Sequence, residues 1–224
     1  YPEFKDRIIY IVVDNEPTDL SDLKNLSYDQ AQGMKRMNSL KRIKQQYDAL
    51  SSGIEGANEN DLIILSDCDE IPDLKNLENV KNNQIIIFKQ LLFYYKFDLH
   101  HNAMTWYGSK GCLKKNLKTF NWLRNIKNKK YNFWRLDTYF SNNKYTNLKI
   151  IDEGGWHFTN IKSPEDIVMK LSNFGEHNEF EMSDIDVEKM KETDMVAYPG
   201  IESCKKAKAC TCNGGGHQTY HPRT

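Results

Sequence analysis

The sequence predicts an α/β fold, and three observations predict it. Residues 8–13 form a continuously apolar, β-branched run, residues 61–65 repeat that pattern, and between them apolar side chains recur every three or four positions. A chain of 224 residues is long enough for one core to bury about 70% of its unfolded surface, so one such domain is the expected organisation.

The first run stops at Asp14-Asn15, as a buried parallel strand does on reaching its carboxyl-end loop. Residues 25–50 carry Met34, Met37, Leu40, Ile43, Tyr47 and Leu50 at helical steps, with Lys35, Arg36, Lys41, Arg42 and Lys44 between them. That spacing predicts a long amphipathic helix, ended by Gly53 and Gly56. The second strand, 61–65, closes on Ser66-Asp67-Cys68-Asp69-Glu70-Ile71-Pro72, and strand, helix and strand in this order predict a right-handed parallel crossover. Residues 84–88 read as a further apolar strand, and 91–97 as an aromatic-rich element leading through His100 and His101 to Trp106-Tyr107-Gly108. Adjacent histidines on a strand point to opposite faces, so His100 and His101 are not expected to grip one ion. Residues 113–126 mix apolar and basic positions, and 148–151 reach Asp152-Glu153-Gly154-Gly155-Trp156-His157-Phe158, a strand end with glycines. Ser163, Pro164 and Asp166 supply an N-cap, a proline at the first helical position and a carboxylate three residues after the cap, opening a helix to about Asn173. Residues 176–194 read as a charged surface helix. Beyond Pro199 the composition turns to Cys, Gly, Lys and His, which divides the chain into a domain over 1–198 and an irregular tail over 199–224.

Lys+Arg and Asp+Glu each number 31, so no overall basic field is expected to hold nucleic acid or an anionic membrane. No apolar stretch approaches the roughly 20 residues that cross a bilayer, and the first residues show no signal-peptide pattern. The five cysteines are unevenly placed and do not read as a disulfide framework. Cys204, Cys210, Cys212, His217 and His221 in the tail are zinc-capable, but their spacing matches no standard finger.

The strongest local signal is SDCDEIP. Asp67 and Asp69 are expected to share one side of an extended backbone where a buried strand ends, the usual ligand position in an open α/β sheet. Two carboxylates there can hold one hard divalent cation that bridges two phosphates, or, more plainly, they form an acidic loop capping the next helix.

DLIILSDCDEIP, followed far downstream by GGWHFTNIKSPEDIVMKLSNFGEHNEF, resembles glycosyltransferase family 17, which includes the enzymes that add bisecting N-acetylglucosamine to N-glycans. RMNSLKRIK before the acidic motif and TWYGSKGCLKKNLKTFNWLRNIK between the two blocks are similar to the same family, so the resemblance spans about residues 1–194 in order. It implies a GT-A-like fold, meaning an open, mostly parallel sheet flanked by helices with a Rossmann-like nucleotide-binding half. It also implies a UDP-sugar donor, UDP-N-acetylglucosamine foremost, with Mn²⁺ or Mg²⁺, a glycan or glycoprotein acceptor, and inversion at the anomeric carbon. No nucleic acid partner or membrane span is implied, and a bacterial or viral member is expected in the cytoplasm.

Carried onto this sequence, the resemblance makes Asp67 and Asp69 the metal and diphosphate residues and sets Glu70 beside the acceptor or donor sugar. His157 would complete metal or phosphate binding, against the plainer reading of a hydrogen-bonded core histidine. Gly154 and Gly155 would admit close backbone approach to the donor, although a tight turn explains them equally, and Trp156 would stack on a sugar or pack. Arg36 and Arg42 are candidates for donor phosphate, against a solvated helix face. Inversion needs a carboxylate base; Glu70 and Glu153 are the candidates put forward, with Asp152 and Glu179 beside them. Trp106 and Tyr107 would form an acceptor platform or simply pack.

Family members start with a further strand and helix before the strand at residue 8, so an unpaired inner sheet edge and an incomplete donor pocket are expected. Two alternatives stand beside the transferase. One is an inactive remnant or glycan-binding protein of the same fold. The other is a metal-dependent phosphoesterase, which would need a second acidic cluster that the sequence does not offer.

Overall fold

The structure, a computed structural model, describes residues 2–75, 77, 80–173 and 219–220. Its strands are β1 (Leu62–Leu65), β2 (Glu70–Pro72), β3 (Ile85–Tyr94), β4 (His100–His101), β5 (Trp106–Leu113), β6 (Leu148–Ile151), β7 (Gly155–Thr159) and β8 (Thr219–Tyr220). Its α-helices are α1 (Tyr28–Ala49), α2 (Phe120–Arg124) and α3 (Pro164–Asn173). Hydrogen bonding orders the strands β1-β5-β3-β4-β8, with β6 beside β3 and β7 joining β2 to β3. The fold is therefore mixed α/β, as expected. The sheet is mixed rather than mostly parallel: β1/β5, β2/β7 and β3/β4 are antiparallel, while β3/β7 and β4/β8 are parallel.

The chain divides into two compact units. One comprises Tyr1–Leu65, Val80–Ile86 and Lys110–Lys149, and the other Ser66–Asn79, Ile87–Ser109 and Ile150–Thr224.

In the first unit, α1 begins where the sequence supplies a cap. Ser27 accepts from the Gln30 amide while the Gln30 side chain accepts from the Ser27 amide, a reciprocal box that satisfies two donors the helix leaves open. The helix forms, but its expected apolar stripe is only half covered: Met34, Met37 and Leu40 are 40–51% exposed. The expected strand at 8–13 explains why. That run forms no ladder, and Ile8, Ile9, Tyr10 and Val12 are exposed, so no parallel crossover exists for the helix to cover. β1 instead pairs antiparallel with the end of β5, Leu62 opposite Leu113 and Leu65 opposite Lys110. Beside it Phe120, Leu123, Ile126 and Cys112 are buried, and burial pushes the Cys112 thiol up to about 11. Lys110 is also buried. Its ammonium donates to the Arg124 and Ile126 carbonyls at 2.6 Å each, closing the carbonyl end of α2.

In the second unit the two apolar runs around Lys89 join as one strand, β3, whose Ile87, Phe88 and Leu92 are almost fully buried. Each such side chain contributes about 2 kcal/mol of transfer free energy. β7 lies parallel to β3, Leu92 opposite His157, and antiparallel to β2. α3 opens as the sequence predicts: the Asp166 amide donates to the Ser163 hydroxyl, which donates to the Asp166 carboxylate, and Ile167 is buried. The expected surface helix at 176–194 lies outside the described residues, as do Glu179 and the tail cysteines and histidines.

Candidate functional site

The second unit brings the acidic motif and the GGWHF block together. The mechanism is strand pairing: Glu70 in β2 stands directly opposite His157 in β7, so both side chains leave the same face of the ladder. Just before β2 the chain turns rather than running extended, because the Glu70 amide donates to the Asp67 carbonyl at 3.0 Å. The Phe158 amide donates to the Asp69 carbonyl at 2.8 Å, which fastens the turn to β7. Asp67 and Asp69 are thus held by a tight turn, a correction to the extended geometry expected from the sequence.

Glu70 is not the exposed carboxylate that a sugar-facing role predicts; its side chain is 5% exposed. One carboxylate oxygen accepts from the Trp106 indole at 3.0 Å, and the other accepts from the Asp67 amide and the Ser109 hydroxyl at 3.3 Å each. Ser109 is fully buried, and its oxygen also lies 2.7 Å from the Ser66 hydroxyl and 3.1 Å from the Gln90 amide nitrogen. A hydroxyl has one proton and two lone pairs, so Ser109 accepts from Ser66 and Gln90 and donates to Glu70 with nothing left over. Burial raises the Glu70 proton affinity, opposed first by the Trp106 hydrogen bond and reinforced by the Asp67 charge. Gly108 makes room for this cluster: a Cβ there would sit against the Gln90 amide oxygen and 2.9 Å from the Glu70 carboxyl carbon.

His157 stacks on Trp106, ring centroids 4.3 Å apart and planes 26° from parallel. Its Nδ1 lies 3.8 Å from one Asp69 oxygen and 3.8 Å from one Glu70 oxygen. Nδ1 is buried and has no hydrogen-bond partner among the described residues, which makes the plain core-histidine account incomplete. Burial lowers its proton affinity; the Asp69 and Asp67 charges oppose that, and Lys170 adds to it. A neutral imidazole nitrogen facing a carboxylate is a donor set that suits Mn²⁺. The 3.8 Å separation falls within the roughly 4.2 Å that two ligands on opposite sides of one small cation span. Among the described residues no group of three or more His, Cys, Asp and Glu side chains is placed to hold a metal ion. A cation meeting only His157 and Asp69 would need most of its ligands from elsewhere.

The remaining sequence candidates lie elsewhere. Glu153 occupies an exposed turn with φ 50°, four residues before His157, and does not join the cluster. Gly154 and Gly155 answer to the protein's own backbone. A Cβ on Gly154 would stand 2.7 Å from the Ile151 carbonyl. Gly155, at φ 117°, lies so close to the Ile71 carbonyl and the Asp73 amide that no side chain fits. Local backbone packing accounts for both glycines: the Ile151 carbonyl crowds Gly154, and the adjoining β2 backbone crowds Gly155. Trp156 alternates to the face opposite His157 and is 37% exposed, so the ring at the histidine is Trp106 instead. Arg36 and Arg42 belong to α1 in the first unit and are exposed, and Arg42 pairs with Glu16 at 2.7 Å beside a shallow cleft that Asn15 and Gln46 also line. Asp152, another exposed carboxylate, pairs with Lys89 at 2.8 Å.

Sequence reasoning missed Ser66, Gln90, Gly108 and Ser109. The available signal was a lone glutamine interrupting the apolar run of β3, facing a Gly-Ser pair in β5. Comparison with protein-family models, with curated proteins and with solved structures found no match.

Proposed function

We propose that the chain is an inverting glycosyltransferase of GT-A type, moving a sugar, N-acetylglucosamine in the leading reading, from a UDP-sugar to a glycan acceptor. One observation carries the reading: the buried, unpartnered Nδ1 of His157 faces Asp69 at 3.8 Å, across a turn that also presents Asp67. Such a constellation has a use at a strand end that receives a diphosphate, and little use in a core.

Asp69 and His157 are the protein groups that would hold Mn²⁺ or Mg²⁺, with Asp67 beside them. Bound there, a divalent ion supplies Lewis-acid neutralisation of charge on the leaving nucleoside diphosphate. Asp67 and Asp69 are partly exposed, so they are the carboxylates that meet the donor. Glu70 works from beneath: anchored by three donors, it fixes the turn and keeps the histidine ring in place together with the Trp106 face. Burial lowers the proton affinity of His157 and so favours the neutral imidazole, the form that ligation requires.

The test is a screen of UDP-sugars with glycan acceptors in excess manganese, reading UDP release. Manganese-dependent release from one donor, lost on chelation, is the expected outcome. No release from any donor, with the fold intact, would remove the transferase reading.

A further inference from the structure

The neutral total charge conceals a sharp segregation. Between Lys110 and Lys149, Asp137 is the single acidic residue against eleven Lys and Arg. Within that basic segment, residues 127–143 form a closed loop, the Lys127 amide donating to the Asn143 carbonyl at 2.8 Å.

The loop displays apolar side chains outward. Phe133, Trp134, Leu136, Tyr139 and Phe140, five residues out of eight, are each 65–89% exposed. Single exposed apolar residues are ordinary; a cluster of this size on one loop marks a contact surface. An ordered scaffold holds it. Arg135 grips Asp137 through two bonds of 2.8 and 2.9 Å, Lys144 reaches the same carboxylate at 2.8 Å, and the Tyr139 hydroxyl donates to the Phe133 carbonyl at 3.0 Å. These pairs neutralise Asp137, while Lys127, Lys129 and Lys130 are exposed in the same loop, shortly before the aromatic run in sequence.

We propose that this loop docks the protein on an anionic lipid surface, its Phe, Trp and Leu side chains entering the headgroup layer and its lysines meeting lipid phosphates. Aromatic rings and basic side chains in this combination bind the membrane interface by adding apolar burial to charge attraction, two terms that are each marginal alone. A single-stranded nucleic acid would want aromatic faces laid side by side for its bases. Here Phe133 and Trp134 meet edge to face, planes 75° apart, and the aliphatic Leu136 follows them, an arrangement made for burial rather than stacking. The inference goes beyond sugar transfer and stands without it.

Sedimentation of the full chain with phosphatidylcholine vesicles, with and without phosphatidylglycerol, tests it. The expected result is binding only to the anionic vesicles. Replacing Lys127, Lys129 and Lys130 by Gln weakens it about a hundredfold, at roughly tenfold or less per lysine near the surface. Phe133→Ser with Trp134→Ser should weaken it at least tenfold, with the circular dichroism of both variants unchanged because every altered side chain is exposed. Failure to bind anionic vesicles, binding that both variants retain, or tighter binding to a single-stranded oligonucleotide than to the vesicles would each overturn the proposal.

Discussion

Ser109→Ala removes one oxygen from the centre of the candidate site and leaves the volume almost unchanged, so its effect isolates hydrogen bonding. In the wild type that oxygen accepts from Gln90 and Ser66 and donates to Glu70. Gln90 is 3% exposed, and its amide would lose its acceptor with no room for water, a cost of about 1–3 kcal/mol. Glu70 would keep the Asp67 amide on the same carboxylate oxygen but lose a charge-assisted bond, adding about 1–2 kcal/mol. Ser66 is exposed and finds water. Because the losses share one network they do not add fully, and about 3 kcal/mol is the expected total. Urea denaturation with the slope held common to both proteins measures it through the midpoint. Ser66→Ala is the control, expected below about 0.5 kcal/mol as for ordinary surface changes. A Ser109→Ala loss as small as the control would refute the hub.

Gly155→Ala should be worse, at least about 3 kcal/mol or no soluble protein, since it drives a Cβ into the Ile71 carbonyl at φ 117°; near wild-type expression and melting would contradict the β2/β7 geometry. His157 has a proton affinity below the ordinary 6.5, so its neutral form favours the folded state. That contribution is present above pH 6.5 and is lost as pH falls through the folded value, and His157→Gln should flatten the loss in stability measured across that acid window. Glu70 has the opposite sign. Its folded proton affinity is raised above 4.5, so its contribution is complete below that pH and fades as pH rises through the folded value, a trend that paired wild-type and Glu70→Gln denaturation curves should separate. Asp137, held at about 2 by Arg135 and Lys144, should titrate higher by NMR once Lys144 becomes Gln.

How much of this was legible in the sequence differs by element. α1 and α3 were readable because their start signals are local: a capping box at Ser27 and an N-cap with Pro164 need only residues within one turn. The strand at 8–13 misled because β-branched apolar composition measures a tendency, while a strand exists only with a hydrogen-bonded neighbour. The same failure turned the expected parallel crossover into the antiparallel pair β1/β5. In the site, Asp67, Asp69 and His157 were visible as candidates, but Glu70 was expected beside the sugar because nothing local announces that Trp106 and Ser109 bury it. Gly154 and Gly155 were visible as special positions, yet the Ile151 and Ile71 carbonyls that crowd them appear only once the chain is folded. Charge segregation at Lys110–Lys149 was present in the sequence all along and was averaged away by a total of zero.

The account rests on a divalent cation meeting His157 and Asp69. Calorimetric titration of the wild type with UDP, with and without manganese, alongside Asp69→Ala and His157→Gln, tests that contact directly. Manganese-dependent binding in the wild type that either substitution weakens at least tenfold is what the geometry predicts. Binding that needs no metal, or that both variants retain at full strength, would contradict it.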